Sequence, residues 1–225
     1  MNVHGLVFKS EAKWSPEDDS SGCFLVGDHL NKTSIFQIEA DTCTLNNLCL
    51  EIDGYKQEVM STDTSPADPS VAICIGKESE AVIVNCRITC RDGHGIDIGG
   101  NARPTISKCH VANCLDGIVM RDSAAATVRD SCIIKCSSSC IKSRDSAAGS
   151  AEENTLGKSG DSCIVASGRS STTFRRNVIS DTKGCGIMLT ESTTALVEDN
   201  QLIGPNFFKT QPSLHTSLKP LANSV

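Results

Sequence analysis

A repeat of 22 to 23 residues is the feature that most constrains how this chain can fold. A small polar or thiol residue returns between two short apolar runs at spacings of 23, 22, 23, 23 and 23 residues. The residues of this column are Cys86, Cys109, Ser131, Asn154, Asn177 and Asn200. Repetition at a fixed period of this length indicates stacked structural units that share one core.

Three apolar columns keep the same period. One lies three residues before the polar column, one lies two residues after it, and one follows nine or ten residues later with a Gly or Cys before each Ile. Their members are Ile83, Ile106, Val128, Ala151, Phe174 and Val197; Ile88, Val111, Ile133, Leu156, Ile179 and Leu202; and Ile96, Ile118, Ile141, Ile164 and Ile187. All three columns are predicted to face the interior.

The repeat predicts an all-β fold, a right-handed single-stranded parallel β-helix over residues 33–208. Each unit contains three short β-rich runs between turn residues, and none keeps the 3.6-residue apolar period of a helix. About six to seven coils would then form three sheets, with like residues stacked about 4.8 Å apart. Inward Asn side chains could pass hydrogen bonds along the stack, and Cys86 and Cys109 would fill core space.

The flanks of the repeat are predicted to be less regular. Residues 1–32 form an irregular N-terminal segment or cap, and residues 209–225 form a C-terminal tail. An insertion at residues 55–70, rich in Ser, Thr, Asp and Pro, is expected to be a surface loop.

Composition restricts the partners and the compartment. The net charge of −6 gives no basic field for nucleic acid, and no apolar run is long enough for a membrane span. The opening residues lack a signal-peptide pattern, so we expect a cytoplasmic protein whose 13 cysteines stay reduced. No cofactor is expected.

The stretch His94–Cys136 resembles the parallel β-helix repeat of the carbohydrate-binding and sugar-hydrolase type. The matching motifs are Gly95-Ile96-Asp97-Ile98, Asn101-Ala102-Arg103-Pro104-Thr105-Ile106, Gly117-Ile118 and Arg175-Arg176-Asn177-Val178-Ile179. The pattern is similar to the arrays of β-helix F-box-only proteins and Shc-binding spindle proteins. This resemblance extends over roughly Ala72–Leu202, implies the fold, and suggests protein partners in cytoskeletal, axonemal or spindle assemblies.

An enzyme of this fold would need neighbouring carboxylates on the outer face of one sheet. The alternation places Cys74, Asp97, Val119, Lys142, Val165 and Met188 in one outward ladder. Asp97 is the one carboxylate found there, so no catalytic residue is assigned. His94, interpreted as a turn histidine between glycines, and Asp97 are the residual catalytic candidates.

The same face supplies the candidate binding residues. Arg121, Lys142 and Arg144 form a basic spot that could hold an acidic peptide, a phosphate or a uronate, or could be balanced by Asp122 and Asp145. Val119, Val165 and Met188 are expected to be exposed apolar residues. Cys132, Cys136 and Cys140 are expected to diverge, so no metal site is assigned.

Two functions remain open from the sequence. The first is a non-catalytic scaffold that mediates protein–protein interaction in an intracellular assembly, and the resemblance predicts an association with the cytoskeleton. The alternative is a protein that binds or cleaves acidic glycans through His94, Asp97 and the basic spot. The scarcity of aromatic residues, 4% of the chain, favours the scaffold, because sugar grooves usually contain aromatic platforms.

Overall fold

A computed structural model describes residues 34–39, 42–52 and 69–204, and the backbone of three further strands, Leu6–Lys9, Cys23–Gly27 and Phe208–Thr210. Each coil contributes one strand to each of three parallel sheets, and each sheet has eight strands. The strands are numbered β1 to β24 in chain order. The described part of the chain contains no helix with the length and apolar character needed to span a bilayer.

The three sheets take every third strand. Sheet 1 contains β1 (Leu6–Lys9), β4 (Cys43–Asn46), β7 (Val82–Val84), β10 (Thr105–Ser107), β13 (Ala125–Arg129), β16 (Ala148–Glu152), β19 (Ser171–Arg175) and β22 (Leu196–Glu198). Sheet 2 contains β2 (Cys23–Gly27), β5 (Leu48–Ile52), β8 (Arg87–Cys90), β11 (His110–Ala112), β14 (Cys132–Ile134), β17 (Thr155–Gly157), β20 (Val178–Ser180) and β23 (Gln201–Ile203). Sheet 3 contains β3 (Phe36–Ile38), β6 (Ser70–Ile75), β9 (Gly93–Ile98), β12 (Ile118–Met120), β15 (Ile141–Ser143), β18 (Ile164–Ala166), β21 (Ile187–Leu189) and β24 (Phe208–Thr210).

The strand register confirms the predicted columns. Ile106 pairs with both Ile83 and Val128 in sheet 1, and Ile118 pairs with both Ile96 and Ile141 in sheet 3. These apolar residues are fully buried, as are most other members of the three columns. Phe174 stacks on Ala151, so the largest side chain of its column lies next to the smallest. The parallel three-sheet solenoid expected from the repeat is therefore confirmed.

The coils turn at three corners through residues in the left-handed backbone region. All fifteen non-glycine residues with positive φ in the described ranges fall in three stacked columns, one at each corner. They are Asn47, Asn85, Lys108, Asp130, Glu153, Arg176 and Asp199 at corner 1; Asn113, Lys135, Lys158 and Asp181 at corner 2; and Lys77, Asp122, Asp145 and Glu191 at corner 3. A left-handed residue at each corner turns the chain sharply from one sheet to the next.

The asparagine column forms the predicted ladder. Asn154 Nδ2 donates to Asn177 Oδ1 at 3.0 Å, and Asn177 Nδ2 donates to Asn200 Oδ1 at 2.9 Å. The same oxygens accept backbone N–H groups, so Asn177 Oδ1 also binds the amide of Asn154 at 3.0 Å. Cys86 and Cys109 occupy equivalent buried positions and donate weakly to backbone carbonyls, which confirms their role as core spacers.

Strands from both flanks join the sheets. β1 pairs with β4 and β2 pairs with β5, so sheets 1 and 2 extend into the predicted irregular segment 1–32. β24 pairs with β21 and overlaps the start of the predicted tail 209–225. Residues 55–68 of the predicted insertion and residues 211–225 lie outside the described residues.

Candidate functional site

The outer face of sheet 3 carries the predicted site residues in two neighbouring ladders. Asp97, Val119, Lys142, Val165 and Met188 occupy successive coils in direct register. Arg121 and Arg144 lie two residues after Val119 and Lys142, on the same side of the sheet. The structure therefore brings together the basic residues and the apolar residues that the sequence assigned to this face.

Val119 is not exposed, which corrects one expectation. Its side chain lies in the outward ladder, but the residue is only 2% exposed. Arg121 reaches the preceding coil, where its Nε donates to Asp97 Oδ1 at 3.0 Å, and Lys142 reaches back so that its Nζ lies 3.6 Å from Asp116 Oδ2. These two long side chains flank Val119, because Arg121 shares its coil and Lys142 is its partner on the next coil. Val165 and Met188 are half-buried.

Asp116 is the functional candidate that the sequence reasoning missed. Its side chain is only 3% exposed, and its Oδ1 accepts the backbone N–H of Ser139 at 3.0 Å. Its Oδ2 lies 3.5 Å from His94 Nδ1 as well as near Lys142. The expectation of a single carboxylate on this face is therefore wrong. The signal was present in the sequence: Asp116 precedes Ile118 by two residues, as His94 precedes Ile96.

His94 lies in strand β9 opposite Val71, so its interpretation as a turn residue is wrong. Its Nδ1 is buried and makes no hydrogen bond, since the contact with Asp116 is long. Burial lowers the pKa of His94, the nearby Asp116 and Asp97 oppose that shift, and Lys142 and Arg144 add to it. Burial therefore favours the neutral form of the imidazole.

The basic spot is neutralised by neighbouring carboxylates. Arg121 Nη1 lies 2.8 Å from Asp122 Oδ2 in addition to its contact with Asp97, and Arg144 Nε lies 4.0 Å from Asp145 Oδ2. The corner carboxylates also bind the backbone, since Asp122 Oδ2 accepts the N–H of Gly100 at 2.9 Å and Asp145 Oδ2 accepts that of Asp122 at 3.2 Å. Of the two interpretations left open by the sequence, this geometry favours the balanced ladder.

The cysteines behave differently from the expected divergence. Cys132 is half-exposed on sheet 2, whereas Cys136 and Cys140 are buried at corner 2, where their thiols donate to Ile134 O at 3.8 Å and to Gly157 O at 3.6 Å. The backbone N–H of Cys140 donates to Cys163 O of the next coil at 2.9 Å. The expected divergence of Cys136 and Cys140 is wrong, because the chain bends between them and turns both side chains inward. Within the described ranges, no group of three or more His, Cys, Asp or Glu side chains could hold a metal ion.

The chemistry available on this face is limited by access. A general acid or base must reach a substrate proton directly or through one water molecule. Asp116 is covered and already bonded to a backbone amide and Lys142, and the Nδ1 of His94 is buried. Asp97 is engaged by Arg121. These contacts link three coils and cover Val119. They leave the polar groups with little access to a substrate.

Three parallel sheets joined by stacked corners define a single-chain β-solenoid. The family model for the right-handed β-helix region matches residues 64–202, more than half of the chain, so this chain belongs to the right-handed β-helix family. The resemblance to a β-helix repeat and the predicted fold are thereby confirmed. A search of curated proteins found no match. The likeness to F-box-only and Shc-binding proteins stays a prediction.

Proposed function

We propose that this β-helix is a non-catalytic scaffold that docks other proteins within an intracellular, cytoplasmic assembly. The observation that carries the proposal is the internal pairing of charge on sheet 3. Arg121, Lys142 and Arg144 each have a carboxylate neighbour within 4.0 Å. A protein can cover such a neutralised face, whereas an acidic glycan needs cations that are available to it.

The apolar part of the same face supports this proposal. Val165 and Met188 are neighbours on adjacent coils and are half-buried. A flexible methionine beside a branched aliphatic residue suits a protein contact, because both can be buried without leaving polar groups unpaired. By the resemblance of the repeat, the partners belong to cytoskeletal, axonemal or spindle assemblies.

A charge placed on this apolar pair tests the proposal. In cells, a Val165→Asp/Met188→Asp variant should retain the fold but capture its partners roughly tenfold less efficiently, since the few central residues that dominate an interface each contribute about 2 kcal/mol or more. Quantitative mass spectrometry of captured proteins is the measurement. Ser171→Asp is the control, because Ser171 is exposed on sheet 1, away from the outer faces of sheets 2 and 3. Equal capture by the double variant and wild type would contradict the proposal.

A second candidate, acidic-glycan binding or cleavage, is favoured by the contact between His94 and Asp116. Together with Asp97, it gives the face two carboxylates near one imidazole, which the sequence had not suggested. Incubation with oligogalacturonates, followed by reducing-end assay and calorimetry, tests this function. The glycan function would be favoured over the scaffold if saturable cleavage or binding were lost in His94→Ala and Asp97→Ala. Circular dichroism should show that both variants keep the fold.

A further inference from the structure

Two lysines occupy consecutive left-handed positions at corner 2. Lys135 has φ 57° and Lys158 has φ 54°, and each follows a strand of sheet 2, β14 or β17. β14 and β17 pair directly, so the two residues are neighbours separated by about one strand spacing of 4.8 Å. Both side chains are exposed, and neither has a carboxylate within 4.0 Å among the described residues.

Several cations on the other two sheets lie beside carboxylates. On sheet 3, Arg121 contacts Asp97 and Asp122. On sheet 1, the outward ladder alternates Arg129, Glu152, Arg175 and Glu198, and Arg175 Nε lies 3.7 Å from Glu198 Oε2. The step from Lys135 to Lys158 departs from this arrangement because it places like charges on adjacent coils, whereas the next step brings Asp181 beside Lys158.

The backbone conformation is also unfavourable for lysine. Asn113 precedes this pair and Asp181 follows it at the same corner position, and Asn and Asp tolerate the left-handed region better than a long side chain does. Left-handed lysines also occur at Lys77 and Lys108, so this pair is distinguished by the two like charges on adjacent coils, with no carboxylate within 4.0 Å among the described residues. Local violations of this kind are expected where a surface has a function.

The adjacent face of sheet 2 combines positive potential with apolar surface. Ile134, directly before Lys135, is half-buried and faces outward, and Val178 is half-buried on the same side. Burial lowers the pKa of His110, and Arg87 and Lys135 lower it further. Burial raises the pKa of the Cys132 thiol, and Lys158 opposes that shift. Lys135 and Lys158 thus project their charge over a half-buried, partly apolar strip.

We propose that Lys135 and Lys158 bind an acidic, extended segment of a partner protein, with Ile134 contacting apolar residues of that segment. Alternate side chains of an extended peptide lie on opposite faces, so carboxylates could meet the lysines while flanking residues cover the strip. An acidic peptide fits better than a nucleic acid, because two cations on a chain of net charge −6 provide few phosphate contacts. This surface is separate from the apolar pair on sheet 3 and does not depend on it.

Fluorescence anisotropy of a short fluorescein-labelled peptide of alternating Glu and Leu tests the proposal. A Lys135→Asn/Lys158→Asn variant should bind at least about tenfold more weakly at low salt, and its thermal midpoint should be unchanged or higher. Asn is the residue that corner 2 already uses at position 113 with φ 54°. Lys108→Asn is the matched control, since Lys108 has φ 53° at corner 1. It should leave binding unchanged.

Reversing the charge of the two lysines gives a test that a loss of stability cannot imitate, because the expected result is a gain of binding to a different peptide. A Lys135→Glu/Lys158→Glu variant should prefer a Lys–Leu peptide, and the left-handed position tolerates Glu at Glu153 and Glu191.

In the wild-type protein, bound Glu–Leu peptide should slow alkylation of Cys132. It should not slow alkylation of Cys185, which lies before β21 of sheet 3.

Three results would overturn the proposal. They are wild-type affinity in the Asn double variant, an equal loss in Lys108→Asn, and lysine-dependent binding of a heparin or RNA probe in preference to the peptide. The Val165→Asp/Met188→Asp variant should bind the Glu–Leu peptide normally, so a failure on sheet 3 is distinguishable from a failure here.

Discussion

At the scale of single residues, the asparagine column shows why a repeat can select one side chain. Asn177 is fully buried, its Oδ1 accepts from both the backbone and the side chain of Asn154, and its Nδ2 donates to Ala151 O at 2.8 Å as well as to Asn200. Ser131 satisfies only part of this pattern, because its single hydroxyl accepts the amide of Cys109 at 3.1 Å and donates to Arg129 O at 2.8 Å. An amide supplies both donors and acceptors at one corner.

Replacement of one asparagine in the column should therefore destabilise the fold. We expect Asn177→Ala to lower the free energy of unfolding by about 3 kcal/mol, because buried partners above and below lose their hydrogen bonds. Asn177→Ser should lie between the wild type and Ala, since its hydroxyl can still accept from the amide of Asn154. Chemical denaturation measures both changes. A loss below about 0.5 kcal/mol for Asn177→Ala would contradict this account.

At the scale of elements, the strands of sheet 3 show what the sequence could predict. The period correctly places Ile96, Ile118 and Ile141 inside, because inward positions depend on the chain's own alternation. It fails for Val119 and Asp116, because their burial depends on where Lys142 and Arg121 extend across neighbouring coils. A repeat specifies which backbones are adjacent, but long charged side chains select partners by geometry and charge.

Strand β9 should make stability sensitive to mild acid. Burial lowers the folded-state pKa of His94, so between its ordinary value of 6.5 and the lower folded value the unfolded chain binds more protons. The stabilisation associated with neutral His94 is present above pH 6.5 and is lost as the pH falls through the folded pKa.

Urea denaturation near neutral pH and at mildly acidic pH measures this effect. We expect His94→Gln to lose less stability on acidification than the wild type. His110→Gln is the comparison, because burial lowers the pKa of His110 as well, and the double variant should show the sum of the two effects. Parallel pH profiles for the wild type and His94→Gln would contradict the assignment.

At the scale of the whole molecule, each coil contacts its neighbours through three sheets, and the corners repeat the same backbone turn. Stability in such a solenoid is approximately a sum over coils and their interfaces. The thiols are part of this shared interior, since nine of the described cysteines are buried and Cys74, Cys132 and Cys185 are half-exposed.

The thiols should report the integrity of the coils. We expect a neutral alkylating reagent to modify Cys74, Cys132 and Cys185 in the native protein, and the buried cysteines only after unfolding. Burial raises the pKa of Cys90 to about 12, which further slows its reaction. Peptide mapping by mass spectrometry is the measurement, and rapid native modification of Cys140 or Cys163 would contradict the packing.

A whole coil should be removable. Deletion of residues 156–178 joins Thr155 to Ile179 and puts Thr155 in the position of Val178, with which it pairs. Asn154 then replaces Asn177 in the ladder. We expect a folded protein with a lower melting temperature, measured by circular dichroism. Deletion of residues 156–175 is the control and should give a lower melting temperature than the 23-residue deletion, because its three surplus residues interrupt the junction between β16 and the next strand of sheet 2.

Charge alternates along the outer face of sheet 1, from coil to coil, in the order Arg129, Glu152, Arg175 and Glu198. If a partner with complementary charges shifts by one coil along the axis, each attraction between opposite charges becomes a repulsion between like charges. A shift by two coils restores the attractions. A partner with a matching alternation of charge is therefore expected to bind this face only in registers that differ by two coils.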